Sequence, residues 1–173
     1  LLNVPVINKL NGIKIAEILN DQIVKDINGN YWFFPENGQV INITEKAKQD
    51  STLSFEIAEV IDNTHIKSTE DVIYAISNDG KFTKLATYEP AEAPEYSEVT
   101  IEGVNIVDYS QYKALDENGN LYVWGMYTGG YSSGIDTREQ AICTTTSESI
   151  VEPIYSQTTG WSVVKGVYYK NSV

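Results

Sequence analysis

The chain has 173 residues, of which 42% are hydrophobic, 11% aromatic and 21% charged. This composition is too apolar and too aromatic for disorder, and the chain lacks the run of about 18 apolar residues that a membrane helix needs. We therefore expect one folded domain over residues 1–173, without membrane insertion. Twelve Lys and Arg against 24 Asp and Glu leave a net charge of −12, which disfavours nucleic acid as a partner because its phosphates require cationic contacts.

Few catalytic side chains are available. Cys143 is the only cysteine and His65 the only histidine, which excludes disulfides, Cys/His zinc sites and any histidine triad not built on His65. The polar stretch around His65 predicts an exposed loop residue, and Cys143 lacks basic neighbours and is expected to be a buried small hydrophobe. We therefore expect no catalytic residue, no metal and no cofactor.

Strand signals dominate, and signals of helix are scarce. Val, Ile, Thr and Tyr alternate with polar residues over short runs, and turn residues interrupt them. Three segments consist of an apolar strand, a turn of Asn, Asp and Gly, and an aromatic strand, which predicts hairpins because glycine tolerates the positive φ of tight turns. These segments are 23–34, 73–83 and 112–125, with turns at Gly29, Gly80 and Gly119.

Further elements recur in the same order along the chain. A short lead-in strand is expected at Ile15–Ile18, Ile57–Val60, Ile106–Tyr109 and Val163–Gly166. A third element precedes three of these strands, at 5–14, 99–105 and 153–161. A variable period near fifty residues is typical of propellers and repeat arrays.

These motifs resemble the regulator of chromosome condensation repeat. The resemblance depends on Pro-Val-Ile followed by Leu-Asn-Gly-Ile-Lys-Ile at 5–15, and on Ala-Leu-Asp-Glu-Asn-Gly-Asn-Leu-Tyr-Val-Trp-Gly at 114–125. It implies an all-β fold, a partial β-propeller of about 3–4 four-stranded blades, with a β-sandwich as the alternative. The implied repeats are 5–50, 51–98, 99–150 and a truncated 151–173. The family's Gly-Gln-Leu-Gly after the Trp-Gly is absent here, where residues 126–134 follow instead.

The resemblance leaves blade faces exposed. In a propeller of the family's usual size, about seven blades, Trp32 and Trp124 would pack between blades. The absence of an initial Met suggests a piece of a longer chain, whose remaining blades would cover the exposed faces and edges. A homodimer through these faces is the second possibility, and we favour the first.

Two turns and one longer segment could each have a function. The turns that begin at Asp26 and Asp116 open like calcium loops, but they lack the required glycine and glutamate, so we expect side chains that bond local backbone. The segment Glu89–Glu95, rich in Pro, Ala and Glu, is expected to be a solvated connection, with a docking segment for a basic partner as the alternative.

Aromatic loop residues suggest where a ligand would bind. Tyr127, Tyr131, Tyr155 and Trp161 are the candidate ligand or interface residues, since aromatic side chains serve both protein interfaces and sugar stacking. We expect a noncatalytic protein-binding or display module of a larger bacterial surface or secreted protein, because acidic chains rich in Asn, Thr and Tyr resemble such proteins. The alternative is a carbohydrate-binding or glycoside-hydrolysing domain, with a glycan as the partner.

Overall fold

A computed structural model describes residues 10, 12–36, 40–96, 98–101 and 103–123 of the chain. For residues 99–100 and for the short strands at 142–143, 153–155, 162–164 and 167–169, only the backbone is described. Within this part the protein is all-β with little helix, as the sequence predicts. No helix among the described residues is long and apolar enough to span a bilayer.

Three four-stranded antiparallel sheets follow one another along the chain. The first sheet contains β1 (Ile15–Ile18), β2 (Ile23–Asp26), β3 (Tyr31–Phe33) and β4 (Ile41–Asn42), and the helix α1 (Ile43–Gln49) follows it. The second sheet contains β5 (Ile57–Asp62), β6 (His65–Ser68), β7 (Ile73–Ile76) and β8 (Phe82–Leu85). After β9 (Val99–Ile101), the third sheet contains β10 (Ile106–Tyr109), β11 (Lys113–Asp116), β12 (Leu121–Val123) and β13 (Ile142–Cys143). Two further pairs join β14 (Pro153–Tyr155) with β15 (Ser162–Val164), and β16 (Val167–Tyr169) with β9.

The predicted hairpins are confirmed. They form the pairs β2–β3, β7–β8 and β11–β12. The expected lead-in strands are β1, the first part of β5, and β10, and the fourth overlaps β15. The Trp-Gly at 124–125 lies outside the described residues.

Each of the three sheets has the same irregularity at its first strand pair. The register shifts by one residue after Ile15, after Ile57 and after Ile106. Such a bulge places one extra residue on the first strand and increases its local twist. The extra residues, Ala16, Ala58 and Val107, are exposed in all three sheets.

The turn after the second strand is also built alike in the three sheets. Asp26 Oδ1 accepts hydrogen bonds from the backbone N–H of Asn28 at 2.8 Å and of Asn30 at 2.9 Å. Asp116 accepts the corresponding bonds at the same distances, and in the second sheet Ser68 Oγ accepts both at 3.2 Å. The expectation that these side chains bond local backbone is therefore confirmed at Asp26 and Asp116.

The prediction that the hairpin at Gly80 is equivalent to those at Gly29 and Gly119 is wrong. That hairpin joins the third and fourth strands of its sheet, whereas the hairpins at Gly29 and Gly119 join the second and third. The true counterpart of those two glycines is Asp71, whose φ is 70°, close to 89° at Gly29 and 84° at Gly119. The sequence conceals the match because Ser68 replaces the aspartate and Asp71 the glycine.

The first sheet is buried on both faces. On one side Val24 and Phe34 share a hydrophobic cluster with Leu115, Leu121 and Val123 of the third sheet. On the other side, a second cluster joins first-sheet and α1 residues to second-sheet residues, namely Ile23, Phe33, Ile43 and Ala47 with Ile66, Tyr74, Ile76 and Phe82. The first sheet therefore lies between the third sheet on one face and the second sheet on the other.

Trp32 lies at the contact of the first and third sheets. Its partly buried ring packs against the first cluster, and its Nε1 donates to Asp26 Oδ2 at 2.9 Å. The indole therefore fills the sheet contact and also orients the carboxylate that closes the turn. Trp124, the other expected residue, lies outside the described part of the chain.

The helix α1 was not among the expected elements. It begins after Asn42, whose side chain accepts from the backbone N–H of Glu45 at 3.0 Å. Ile43 and Ala47, four residues apart, are both buried in the second cluster. The signal was an Asn cap followed by two apolar residues at helical spacing, in a segment too short for periodicity to stand out.

Lys113 is fully buried between the first and third sheets. Its Nζ donates to the backbone carbonyl of Asp21 and lies 4.5 Å from the centre of the Phe34 ring. Burial lowers the pKa of this ammonium group from 10.5 to about 7, although the nearby Asp21 carboxylate acts to raise it. The unfolded chain therefore binds more protons at this residue between pH 7 and 10.5 than the folded chain does.

Replacing Lys113 by Met is expected to alter the pH dependence of stability. In the wild type the free energy of unfolding should rise from pH 7 to about pH 9, by at most about 1.4 kcal/mol per pH unit from this group. Lys113→Met should flatten that rise and raise the value at pH 7 by about 1–3 kcal/mol, because a buried charge is costly. Urea unfolding at several pH values measures both effects, with the exposed Lys84→Met as the control. A loss of stability at pH 7 would contradict this account.

Asp71→Gly is expected to stabilise the protein. The side chain of Asp71 is 89% exposed and approaches Lys67 only at 3.7 Å, so little contact is lost. Glycine relieves the left-handed backbone, and after its own entropic cost the gain should be about 0.5 kcal/mol. Asp71→Ala should instead destabilise, since alanine tolerates a positive φ less well than aspartate. Thermal unfolding of the two variants tests the assignment, and equal effects would refute it.

Candidate binding groove

A groove of about 400 Å³ lies between the first and second sheets and the segment that follows β8. One wall is the end of β5 with the turn after it, and the opposite wall is the connecting segment. The β1–β2 turn supplies the floor. The lining residues are Leu19, Asn20, Val60, Ile61, Asp62, Asn63, Thr64, Ala91, Glu92, Ala93, Pro94 and Tyr96.

Consecutive residues of two chain segments, rather than alternate residues on one face of a sheet, line the groove. Side chains of successive strand residues point to opposite faces. Five consecutive residues, Val60 to Thr64, nevertheless line the groove. It must therefore run along the edge of β5 and over its hairpin turn. On the other wall, four consecutive residues, Ala91 to Pro94, have no regular secondary structure.

Three side chains fasten the connecting segment to the second sheet. His65 Nδ1 lies 2.8 Å from Asp62 Oδ1, across the turn between β5 and β6. The Tyr88 hydroxyl donates to the other oxygen of Asp62, and the Tyr88 ring stacks on His65 with centroids 3.7 Å apart and planes 10° apart. Asp62, His65 and Tyr88 together form a clasp.

The clasp keeps Asp62 ionised. Burial acts to raise the pKa of this carboxyl, but hydrogen bonds from the Tyr88 hydroxyl, the Thr64 N–H and His65 outweigh burial and lower the pKa below 3.8. The same bond, together with burial and the charge of Asp62, raises the pKa of Tyr88 above 10.0. At neutral pH the clasp thus consists of a phenol that donates to a carboxylate.

The other end of the segment is Tyr96, whose side chain is partly buried. Burial, and then the negative charge of Asp21, raise the pKa of the Tyr96 phenol to about 12. Asp21 is itself buried and accepts from the backbone N–H of Tyr112 at 2.9 Å. The clasp therefore holds one end of the segment, the other end is partly buried near Asp21, and the residues between them are exposed.

The charge around the groove is negative. Asp62 and Glu92 are the two carboxylates among its lining residues, and that lining includes no Lys, Arg or His. Glu89 and Glu95, on the same segment, are exposed. The groove therefore combines apolar walls with an acidic rim, which favours a ligand that carries positive charge.

The side chains of the four sequence-predicted site residues are not among those that the structure describes. Tyr127, Tyr131 and Trp161 lie outside the described residues. Tyr155 is the last residue of β14 and pairs through its backbone with Ser162, but its side chain also lies outside the described part. The side chain of Cys143, whose backbone pairs with Tyr122, lies outside it too.

The prediction that His65 is an exposed loop residue is wrong. His65 begins β6, and its side chain is only 17% exposed because Tyr88 covers one face. The sequence around it does resemble a loop, since a two-residue turn, Asn63–Thr64, immediately precedes it. The partner that buries the ring is more than twenty residues away in sequence, where no local pattern points to it.

The segment Glu89–Glu95 is a connection without helix or strand, as predicted. Its role as a groove wall was not predicted, because that role depends on where its two ends attach. Among the described residues, no group of three or more His, Cys, Asp or Glu side chains is arranged to hold a metal ion. Comparisons with known proteins found no match of this chain to a family, to a curated protein or to a solved structure.

Tyr88→Phe is expected to loosen the clasp. The variant keeps the ring that stacks on His65 but loses the hydroxyl that donates to Asp62, so the pKa of Asp62 should rise toward 3.8. The stability that Asp62 contributes is present above its unfolded pKa and is lost as pH falls through its folded pKa, so in the variant this contribution should be smaller and its loss complete at a higher pH. Carboxyl NMR titration measures the change, with Tyr96→Phe as the control. An unchanged Asp62 pKa would disprove the role of the hydroxyl.

Proposed function

We propose that this chain is a noncatalytic protein-binding module, built from repeats of the regulator of chromosome condensation type and belonging to a larger bacterial surface or secreted protein. The groove between β5 and the connecting segment is its binding site for a protein partner. The extracellular placement is supported by composition alone, acidic and rich in Asn, Thr and Tyr with one cysteine.

The repeat assignment is supported by details that the three sheets share. Each has a bulge in its first strand pair, followed by a turn in which one side-chain oxygen accepts two backbone N–H groups. Independent hairpins would have no reason to combine both features at the same place. We infer that the units beginning near Ile15, Ile57 and Ile106 are copies of one building block.

The propeller assignment is supported by how the first sheet is packed. A blade lies between two neighbours, and the first sheet has the second sheet on one face and the third on the other. The first strands of the first and third sheets also lie close together, since the Ile18 N–H donates to Asp108 Oδ2 at 2.9 Å. Innermost strands of adjacent blades come together in this way around a propeller axis.

The binding function depends on one observation, the groove walled by a strand edge and a fixed extended segment. Ligand sites are commonly preformed clefts of about 300–1,000 Å³ with apolar walls and few polar groups. The clasp anchors one end of the wall, so a ligand would have less of that segment to order on binding.

The clasp also favours a structural role for the only histidine over a catalytic one. An Asp–His pair is a familiar arrangement in general-base catalysis. Here Tyr88 covers one face of the His65 ring and occupies the other oxygen of Asp62. His65 is also absent from the groove lining. His65 therefore holds the wall and does not face the ligand, whereas Asp62 lines the groove.

Carbohydrate recognition is the second candidate. The partly buried ring of Tyr96, with the amide of Asn63 and the hydroxyl of Thr64, gives the groove an aromatic surface beside polar groups. A glycan array with the intact protein would separate the two candidates, and sugar binding that is lost in Trp161→Ala would favour the second.

Ala93→Trp is expected to abolish partner binding without unfolding the protein. Ala93 is exposed and lines the groove, so an indole there fills the site without disturbing the core. Peptides selected from a random displayed library on the wild-type protein should lose at least about tenfold in affinity for the variant. Ala16→Trp, at an exposed position of the first sheet outside the groove lining, is the control. Equal binding to both variants would show that the partner binds elsewhere.

A further inference from the structure

We propose that the groove binds an extended, basic segment of the partner protein, which adds as a strand to the free edge of β5. This inference rests on the proposed protein-binding function and specifies the kind of partner. It depends on the edge position of β5, on the absence of backbone hydrogen bonds between β5 and the described residues 89–96, and on the charges that line the groove.

The strand β5 lies at the edge of the second sheet. Its backbone pairs with β6 on one side, and no strand of the described part of the chain pairs with its other side. At six residues β5 is the longest described strand, and its last three residues, Val60 to Asp62, line the groove. The unpaired edge there offers backbone N–H and C=O groups to an incoming chain.

The connecting segment lies across the groove from this edge but does not pair with it. No backbone hydrogen bond joins the described residues 89–96 to β5. Pro90 and Pro94 have no N–H to donate, which makes this segment a poor strand partner. The segment therefore limits the groove laterally and leaves the edge of β5 open to another extended chain.

The charges select a basic ligand. Asp62 lies at the end of β5, and Glu92 lies on the opposite wall. Both oxygens of Asp62 already accept hydrogen bonds within the clasp, but a carboxylate has about four acceptor positions and keeps its charge. A Lys or Arg side chain of the bound strand would meet negative charge on either side, while its apolar neighbours would contact Val60, Ile61 and Pro94.

Three short peptides test the proposal against the intact protein. The first alternates Lys and Val over about eight residues, the second alternates Glu and Val, and the third is the first with alternate backbone amides N-methylated. Fluorescence anisotropy is expected to show binding of the first peptide only, because methylation removes the strand hydrogen bonds but keeps the charge. In NMR spectra, the first peptide should shift the amide signals of residues 60–62 more than those of β7.

Substitutions locate the charge contribution. Glu92→Gln should weaken binding of the Lys peptide by about two- to fivefold, the range expected for one partly exposed ion pair. Glu70→Gln, an exposed position on the β6–β7 turn, is the matched control and should leave binding unchanged. Ala93→Trp should abolish binding.

The outcomes distinguish this inference from the function on which it rests. Equal binding of the methylated and unmethylated Lys peptides, or equal effects of Glu92→Gln and Glu70→Gln, would reduce the interaction to unspecific attraction and overturn the inference. Failure of the Lys peptide to bind would overturn it too. If library peptides without basic residues then bound in the groove, the protein-binding function would stand. Glycan binding without any peptide binding would refute the function as well.

Discussion

Burial of both faces of the first sheet is the constraint on which the rest of the structure depends. A four-stranded sheet of strands this short cannot bury enough apolar surface by itself, and here each face is covered by another sheet. The contact with the second sheet brings Leu19 and Asn20 beside β5 and so creates the floor of the groove. The contact with the third sheet encloses Lys113, whose ammonium group loses its hydration. The candidate site and the lowered pKa of Lys113 are thus consequences of the same packing of sheets.

The turns explain how different sequences give the same sheet. Where an aspartate accepts the two backbone N–H groups, as at Asp26, the other oxygen is free to accept from an aromatic donor, which is Trp32 in the first sheet. In the third sheet the Tyr122 hydroxyl lies 3.3 Å from Asp116 in the same role. Ser68 has only one oxygen and serves the backbone alone, and Tyr74 in the second sheet stacks on Phe55 instead. The backbone geometry is kept while the use of the aromatic residue changes.

The groove shows how a connection without regular structure becomes a binding wall. Alanine, proline and glutamate between 89 and 95 supply no core residue, so the segment would be free to move if its ends were not held. Tyr88 holds one end through Asp62 and His65, and the other end, at Tyr96, is partly buried. Residues of the first and the second sheet both line the groove, so its shape depends on how these sheets pack. The exposed glutamates then contribute charge without contributing stability.

The sequence by itself determined the Gly-centred hairpins and the lead-in strands, because alternation and turn residues are local signals that two or three neighbouring positions can carry. It also determined the local bonding at Asp26 and Asp116. It did not determine β6, whose first residues it predicted to be a loop. It did not determine that Asp71 corresponds to Gly29, since an aspartate in left-handed backbone has no distinct sequence signature. The short helix α1, the burial of His65 and the groove were decided by tertiary structure alone. Each depends on residues distant in sequence, such as Tyr88 over His65, whose meeting is fixed by the packing of whole sheets rather than by any local preference.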